Sequence, residues 1–193
     1  MMTDKEIRVF FGNHRPGLDV KDPICLKSDR NRLAKLLATL GLNRGAEIGV
    51  NRGRFSERLC KENSDIELYC IDPWSKNLDV RDMDKRHRQT VERLKPYNAT
   101  VIKKTSMDAV VDFEDDFLDF VFVDGNHEFD YACMDIICWS NKVRSGGIVA
   151  CHDYFQFYNA GVVDAVDAYT RTHRVSPWYT TFELQPTAWW FKP

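Results

Sequence analysis

Apolar positions along this 193-residue chain follow two periods that alternate. Leu33, Leu36, Leu37 and Leu40 recur at the spacing of one helix face, and Gly41 supplies a stop, so a helix is predicted from Ser28. A short apolar strand, Ala46 to Val50, runs through a turn into a helix around Phe55 to Glu62. A second strand, Ile66 to Ile71, ends at Asp72-Pro73-Trp74, and a polar, basic helix follows from Asp82 to Leu94. Thr100 to Lys103 reads as a third strand. Leu118 to Val123 is a continuous apolar run of the kind shown by a central strand covered on both faces. Tyr131 to Val143 is helical, closed by Arg144-Ser145-Gly146-Gly147, before a strand from Ile148 to Cys151 and a helix from Val162 to Thr172. Two aromatic-rich strands, Trp178 to Leu184 and Thr187 to Phe191, flank Gln185-Pro186.

Strand–helix alternation of this length predicts a mostly parallel, doubly wound α/β sheet of seven strands with helices on both faces. The last two strands are separated by only two residues and must form a C-terminal antiparallel β-hairpin. The first 27 residues, punctuated by Pro16, Gly17 and Pro23, are expected to be an irregular N-terminal arm. Residues 28–193 then form one domain, a length that buries a full core without staples.

Composition narrows the class. Hydrophobic residues at 44% and charged residues at 29% are ordinary for a globular chain and exclude a disordered one. The net charge of -2 gives no support to a nucleic-acid partner. The six cysteines form no C-x-x-C pair and mostly lie in apolar runs, which suits reduced, buried thiols. Met-Met-Thr-Asp-Lys-Glu has no apolar core of a secretory signal, and no run approaches the roughly 18 apolar residues of a membrane span. A soluble, cytoplasmic protein with no membrane partner is expected.

Chemistry concentrates where strands end. Glu47-Ile48-Gly49-Val50-Asn51-Arg52-Gly53-Arg54-Phe55-Ser56 carries a glycine-rich turn between strand and helix, where a ligand can approach backbone N–H groups. Read blandly, it is a tight turn. Asp72 ends the second strand 23 residues beyond Gly49, the spacing at which such folds grip ribose hydroxyls. Thr105-Ser106-Met107-Asp108 follows the third strand and reads either as the wall of a nucleobase site or as a helix cap with a core methionine. The buried run ends in Asp124-Gly125-Asn126-His127, at the edge where open sheets bind ligands, and His127 is the candidate general base. His152-Asp153 ends the next strand, so Asp124, His152 and Asp153 could converge on one divalent ion or orient a substrate without one. Arg81, Lys85, Arg86, Arg88 and Arg93 read as a solvated helix face, and Trp189, Trp190 and Phe191 as hairpin core.

Taken together, these motifs resemble class I S-adenosylmethionine-dependent methyltransferases, and within them the small-molecule O-methyltransferase-like group that includes the macrocin and catechol O-methyltransferase relatives. The resemblance runs from Glu47 to the C-terminus and rests on Glu47-x-Gly49-x-x-x-Gly53-x-Phe55-Ser56, Asp72-Pro73-Trp74, Asp124-Gly125-Asn126-His127, Gly146-Gly147 and His152-Asp153-Tyr154. It implies a Rossmann-like fold. It also implies that Glu47, Gly49, Asn51, Gly53 and Ser56 surround the methionine part of S-adenosylmethionine, that Asp72 holds the ribose with Trp74 near the nucleoside, and that Ser106 and Met107 flank the adenine. Asp124 lies at both the cofactor and the catalytic site, with His127 taking the proton of a substrate hydroxyl. Asp124, His152 and Asp153 would hold Mg²⁺ or Mn²⁺. Asn126 and His152 depart from the commonest metal-site pattern of these enzymes.

Three other functions compete. A cofactor-binding sensor or inactive partner subunit would keep Gly49 and Asp72 without needing His127 or His152-Asp153. A nicotinamide oxidoreductase is disfavoured by the absence of G-x-G-x-x-G. A nucleic-acid methyltransferase would bring an aromatic–proline motif or a basic domain, and neither is present. The acceptor is expected to be a small molecule, its pocket built from the first 27 residues, the loop from Trp74 to Arg81 and the segment after Asp153. An exposed N-terminal arm could also mediate a homodimer.

Overall fold

The structure, a computed structural model, describes residues 2–12, 22–75 and 82–193. Pro16, Gly17 and Arg81 lie outside the described residues. In chain order the elements are α1 (Asp4–Phe10), β1 (Ile24–Leu26), α2 (Arg30–Thr39), β2 (Arg44–Ile48), α3 (Arg54–Glu62), β3 (Glu67–Ile71) and α4 (Met83–Leu94). They continue as β4 (Ala99–Ile102), α5 (Ser106–Val110), β5 (Leu118–Val123), α6 (Phe129–Lys142), β6 (Val143–Cys151), α7 (Val162–Thr172), β7 (Trp178–Thr181) and β8 (Ala188–Phe191).

One sheet has the order β1-β7-β8-β6-β5-β2-β3-β4. Its pairings are parallel except those of β8, which runs antiparallel to both β6 and β7. The Rossmann-like, doubly wound sheet with its C-terminal hairpin is therefore as expected. Two apolar layers cover it, and β5 shows why its sequence is apolar throughout. Phe120 and Phe122 enter one layer with α2, α3 and α4, while Val121 and Val123 enter the other with α6 and α7. Trp189 and Trp190 divide between the same two layers, so the hairpin closes both.

The sheet has eight strands where seven are expected, and the beginning of the chain is not irregular where it is described. β1 pairs with β7 through Ile24–Tyr179, Cys25–Thr180 and Leu26–Thr181. α1 starts with a capping box in which Thr3 accepts from the Glu6 N–H and Glu6 reaches back to Thr3. Ile7, Phe11, Ile24 and Leu26 are buried in the same core as α2 and α3. A seven-residue helix and a three-residue strand hold too few periods to register in a hydrophobic pattern.

Candidate active site

Parallel pairing of β3, β2, β5 and β6 brings the carboxyl ends of these strands to one edge. There the turn after β2 presses against the turn after β5. Gly49 has φ +90°, and a Cβ built on it would lie 1.9 Å from the Asp124 carbonyl oxygen. The Asp124 N–H donates to the Ile48 carbonyl at 2.7 Å, and the Gly49 N–H donates to that of Ile71 at 2.8 Å. Only glycine combines this backbone conformation with this approach.

Asp72 anchors the glycine-rich loop. Its Oδ2 accepts the Asn51 N–H at 2.8 Å and its Oδ1 the Trp74 N–H at 2.7 Å. Burial nonetheless raises its pKa above the usual carboxylate value, outweighing those bonds. Trp74 is buried under the loop, donating its indole N–H to the Asn51 carbonyl at 2.7 Å and packing on His87 at 4.6 Å. Its place is to hold loop backbone. α4 closes the loop from outside: the Thr90 hydroxyl donates to the same carbonyl at 3.0 Å, Arg86 to Asn51 Oδ1 at 2.8 Å, and Arg93 to the Arg52 carbonyl at 3.0 Å. The expectation of a solvated basic face therefore fails at Arg86 and Arg93: Arg93 answers a loop carbonyl that the turn leaves unpaired, and Arg86 the side-chain amide oxygen of Asn51. Gly53 caps α3 with φ +67°, and a Cβ there would meet Thr90 at 3.0 Å.

Below the loop, Ser56 donates its hydroxyl to Glu47, and both are buried. Burial, above all, pushes the Glu47 carboxyl up to about 8, with Asp124 and Asp72 adding to the effect and Arg30 opposing it. Glu47 thus carries a proton at neutral pH. Its neighbours also show that the Glu47, Asp72 and Asp124 sites form one electrostatic unit.

Asp124, His127, His152 and Asp153 converge as the sequence suggests. His127 Nε2 stands 2.9 Å from Asp153 Oδ2 and 3.7 Å from Asp124 Oδ1. His152 Nδ1 is 3.4 Å from Asp124 Oδ1 and 3.3 Å from Asp153 Oδ1. The carboxylates of Asp124 and Asp153 push His127 up to about 9, against the effect of burial. Burial would raise Asp153, but the two imidazoles hold it well below the usual carboxylate range. Asp153 takes φ +58°, a left-handed conformation that aims its side chain back at the histidines. Arg30, the first residue of α2, closes the cluster: its Nη1 is 3.0 Å from His152 Nε2 and 3.7 Å from Asp124 Oδ2.

This donor set fits a divalent cation. One ligand atom each from Asp124, His152 and Asp153 lies within 4.8 Å of the others. His127 Nε2, His152 Nδ1 and Asp153 Oδ1 are buried without a hydrogen-bond partner of full geometry, the state of ligand atoms facing a common centre. The loop also fits a nucleoside. Each Asp72 oxygen accepts one N–H and retains a lone pair for a hydroxyl.

Ser106 and Met107 open α5 behind the Thr105 cap, which accepts the Asp108 N–H. The Ser106 hydroxyl is already engaged, donating to buried Asp135 and accepting the Trp139 indole N–H at 2.8 Å. Met107 packs against the α6–α7 core layer. Burial pushes Asp135 up to about 6, and its Oδ2 would lie 3.1 Å from a Cβ on Gly125. Asp135 and Arg30 escape the sequence reading. Asp135 leaves a signal, an acid on the buried face formed by Ala132, Ile136 and Trp139, whereas Arg30 leaves none.

The chain is similar to solved structures of methyltransferases at low identity. An O-methyltransferase from Bacillus cereus in complex with SAH has a TM-score of 0.64 at 14% identity, covering 96% of this chain and 88% of its own. The N-methyltransferase NodS from Bradyrhizobium japonicum gives 0.57 at 14%, covering 85% and 94%. An O-methyltransferase family protein from Burkholderia thailandensis gives 0.60 at 10%, covering 83% of this chain and 55% of its own. No curated protein sequence matches the chain. Residues 46–154, more than half of the chain, match the family described as a methyltransferase domain. That segment runs from β2 through Tyr154 and holds Asp72, Asp124, His127, His152 and Asp153, and on this match the chain belongs to the methyltransferase domain family.

Proposed function

We propose that this chain transfers a methyl group from S-adenosylmethionine to a hydroxyl of a small-molecule acceptor, with a divalent cation at Asp124, His152 and Asp153. The observation that carries this reading is the double role of Asp124. Its backbone lies against Gly49 of the glycine-rich turn, and its carboxylate belongs to the imidazole–carboxylate cluster. Methyl donor and acceptor hydroxyl would thereby meet at one residue. The Bacillus cereus O-methyltransferase in complex with SAH, which shares the fold, supports this choice of cofactor.

In this reading Asp72 takes the ribose hydroxyls, and Glu47, Gly49, Asn51, Gly53 and Ser56 frame the methionine end. Ser106 and Met107 stand at the adenine end. The task of the site is alignment of oxygen, methyl carbon and sulfur, and positioning of this kind supplies up to about 7–11 kcal/mol. A bound Mg²⁺ or Mn²⁺ would lower the pKa of the acceptor hydroxyl and fix its direction. Asp153, 2.9 Å from His127 Nε2, orients the ring, and His127 serves as base once it has lost the proton that Asp124 and Asp153 favour on it. Among the described residues no helix is long and apolar enough to cross a membrane, and the buried Cys60, Cys70 and Cys151 form no disulfide, which supports a cytoplasmic site of action.

Calorimetric titration with S-adenosylmethionine and S-adenosylhomocysteine, with and without Mg²⁺ or Mn²⁺, tests the reading. Micromolar binding that Asp72→Ala abolishes is the expected result. Turnover that persists unchanged in His127→Ala removes His127 as the base, and binding of neither nucleoside removes the reading itself.

A further inference from the structure

A basic groove lies on the same edge of the sheet, outside the residues assigned above to cofactor, base and cation. β7 runs parallel to β1 and antiparallel to β8, and β8 runs antiparallel to β6. The segments that follow β1 and β7 therefore leave the sheet on the side of His152 and Asp153. They are tied together there: the Phe182 N–H donates to the Ser28 carbonyl at 2.8 Å, and the Arg30 N–H to Glu183 Oε1 at 2.9 Å. With α2 and α3 they line an open groove of about 700 Å³. Ligand sites for small molecules span roughly 300–1,000 Å³.

The lining is basic. Lys27, Arg32, Lys35 and Arg58 face it, with Asp29 as the acidic member. The Asp29 carboxylate is committed to capping α2, accepting the Arg32 N–H at 3.1 Å and the Asn31 side chain at 3.0 Å. Arg32 is held in place by the Phe10 carbonyl at 2.7 Å and by the Phe10 ring at 4.7 Å. Arg58 pairs with Glu62 at 2.7 Å through Nη2, while its Nε is buried without a hydrogen-bond partner. The chain as a whole carries a net charge of -2, so a basic groove is not a consequence of composition. Arg30 links the two sites, since it stands between the groove residues Asp29 and Asn31 and turns its own guanidinium to His152 and Asp124.

We infer that this groove seats an oxyanion group, a carboxylate, sulfate or phosphate, of the acceptor, so that the substrate is a small hydroxylated anion. The role as acceptor site rests on the methyltransferase reading above; the anion site itself does not. Fixed guanidinium groups match the planar fork of an oxyanion, and the exposed Lys35 adds a mobile point charge. A ligand with its anionic end here would direct its hydroxyl end past Arg30 toward Asp124 and His127. The basic residues gather in one local groove and do not run as a stripe along the surface, which favours a small molecule over a nucleic-acid backbone.

Titration calorimetry of the full chain at low salt, with malonate, sulfate and inorganic phosphate as separate probes, tests this. At least one anion is expected to bind. Its affinity should fall about tenfold or more in Lys35→Glu and in Arg58→Gln, the worth of a charged hydrogen bond, and should weaken with added salt. S-adenosylhomocysteine affinity should be unchanged in both variants, because neither residue touches the glycine-rich loop. Lys35 is exposed, so its replacement leaves the fold intact. No anion binding, equal binding by the variants, or binding only of a single-stranded RNA oligonucleotide would overturn the inference. Anion binding without S-adenosylhomocysteine binding would support the groove while overturning the methyltransferase reading.

Discussion

The Arg30 guanidinium stands 3.0 Å from His152 Nε2 and 3.7 Å from Asp124 Oδ2, while His152 Nδ1 faces Asp124 and Asp153. A fixed positive charge thus sits at the rim of the candidate metal cluster. Charge repulsion at about 4 Å is worth several kcal/mol at an intermediate dielectric. Arg30→Met keeps the apolar stem against Phe55 and removes the charge. It should tighten Mn²⁺ binding about tenfold or more, read by calorimetry or by the loss of the free-ion resonance signal. Equal affinity in both proteins would mean that Arg30 withdraws when the ion enters, and no uptake in either would remove the metal from the proposal.

Asp72 should matter for the loop before it matters for a ligand. It accepts two backbone N–H groups that would otherwise be buried without partners, each costing about 1–3 kcal/mol. Asp72→Ala should therefore lower unfolding stability by about 2–4 kcal/mol and weaken S-adenosylhomocysteine binding by about 100-fold or more. Asp72→Asn retains one good acceptor and should recover part of the stability. Denaturant melts of the free protein separate the two effects. An Asp72→Ala protein of unaltered stability would show that the loop stands without this carboxylate.

The glycines offer an internal comparison. Gly41 and Gly49 both have positive φ, at +65° and +90°, yet a Cβ at Gly41 meets nothing within 4 Å. Gly41→Ala should cost about 1–2 kcal/mol for its backbone conformation alone. Gly49→Ala adds a clash with the Asp124 carbonyl and should cost more than about 4 kcal/mol, or prevent folding. Thermal melts that rank the two variants equally would contradict the close approach of the two turns.

How far the sequence speaks depends on length and on partners. The long periodic segments around Leu33–Leu40 and the apolar run Leu118–Val123 identify their elements unaided, and their alternation dictates the sheet. Parallel order then places Gly49, Asp72, Asp124 and His152 on one edge, so the main site is legible from where strands end. β1 is not legible, because three residues acquire strand character only by pairing with β7, more than 150 positions away. Arg86 and Arg93 look like surface charges until the loop they clamp folds against α4. The same holds for Arg30, whose role depends on a histidine 122 positions along the chain.

Glu47 makes the last prediction, and its sign can be worked out. Burial lifts its folded pKa to about 8, above the ordinary value of 4.5. A group with a raised folded pKa contributes stability that is complete below its unfolded pKa and is lost as pH rises through the folded one. Wild-type stability should therefore decline between about pH 4.5 and 8 relative to Glu47→Gln, which mimics the protonated acid and still accepts from Ser56. The slope approaches at most about 1.4 kcal/mol per pH unit. Urea melts of both proteins at pH 5, 6, 7 and 8 measure the gap, and a gap that stays constant would place a charged carboxylate at Glu47 throughout. The same proton reports on the cofactor. An ammonium brought against Glu47 by the methionine end of S-adenosylmethionine favours the ionised carboxylate, so binding near pH 7 should expel a proton. Calorimetric heats that vary with the ionisation enthalpy of the buffer would reveal that release in wild type, and the dependence should disappear in Glu47→Gln.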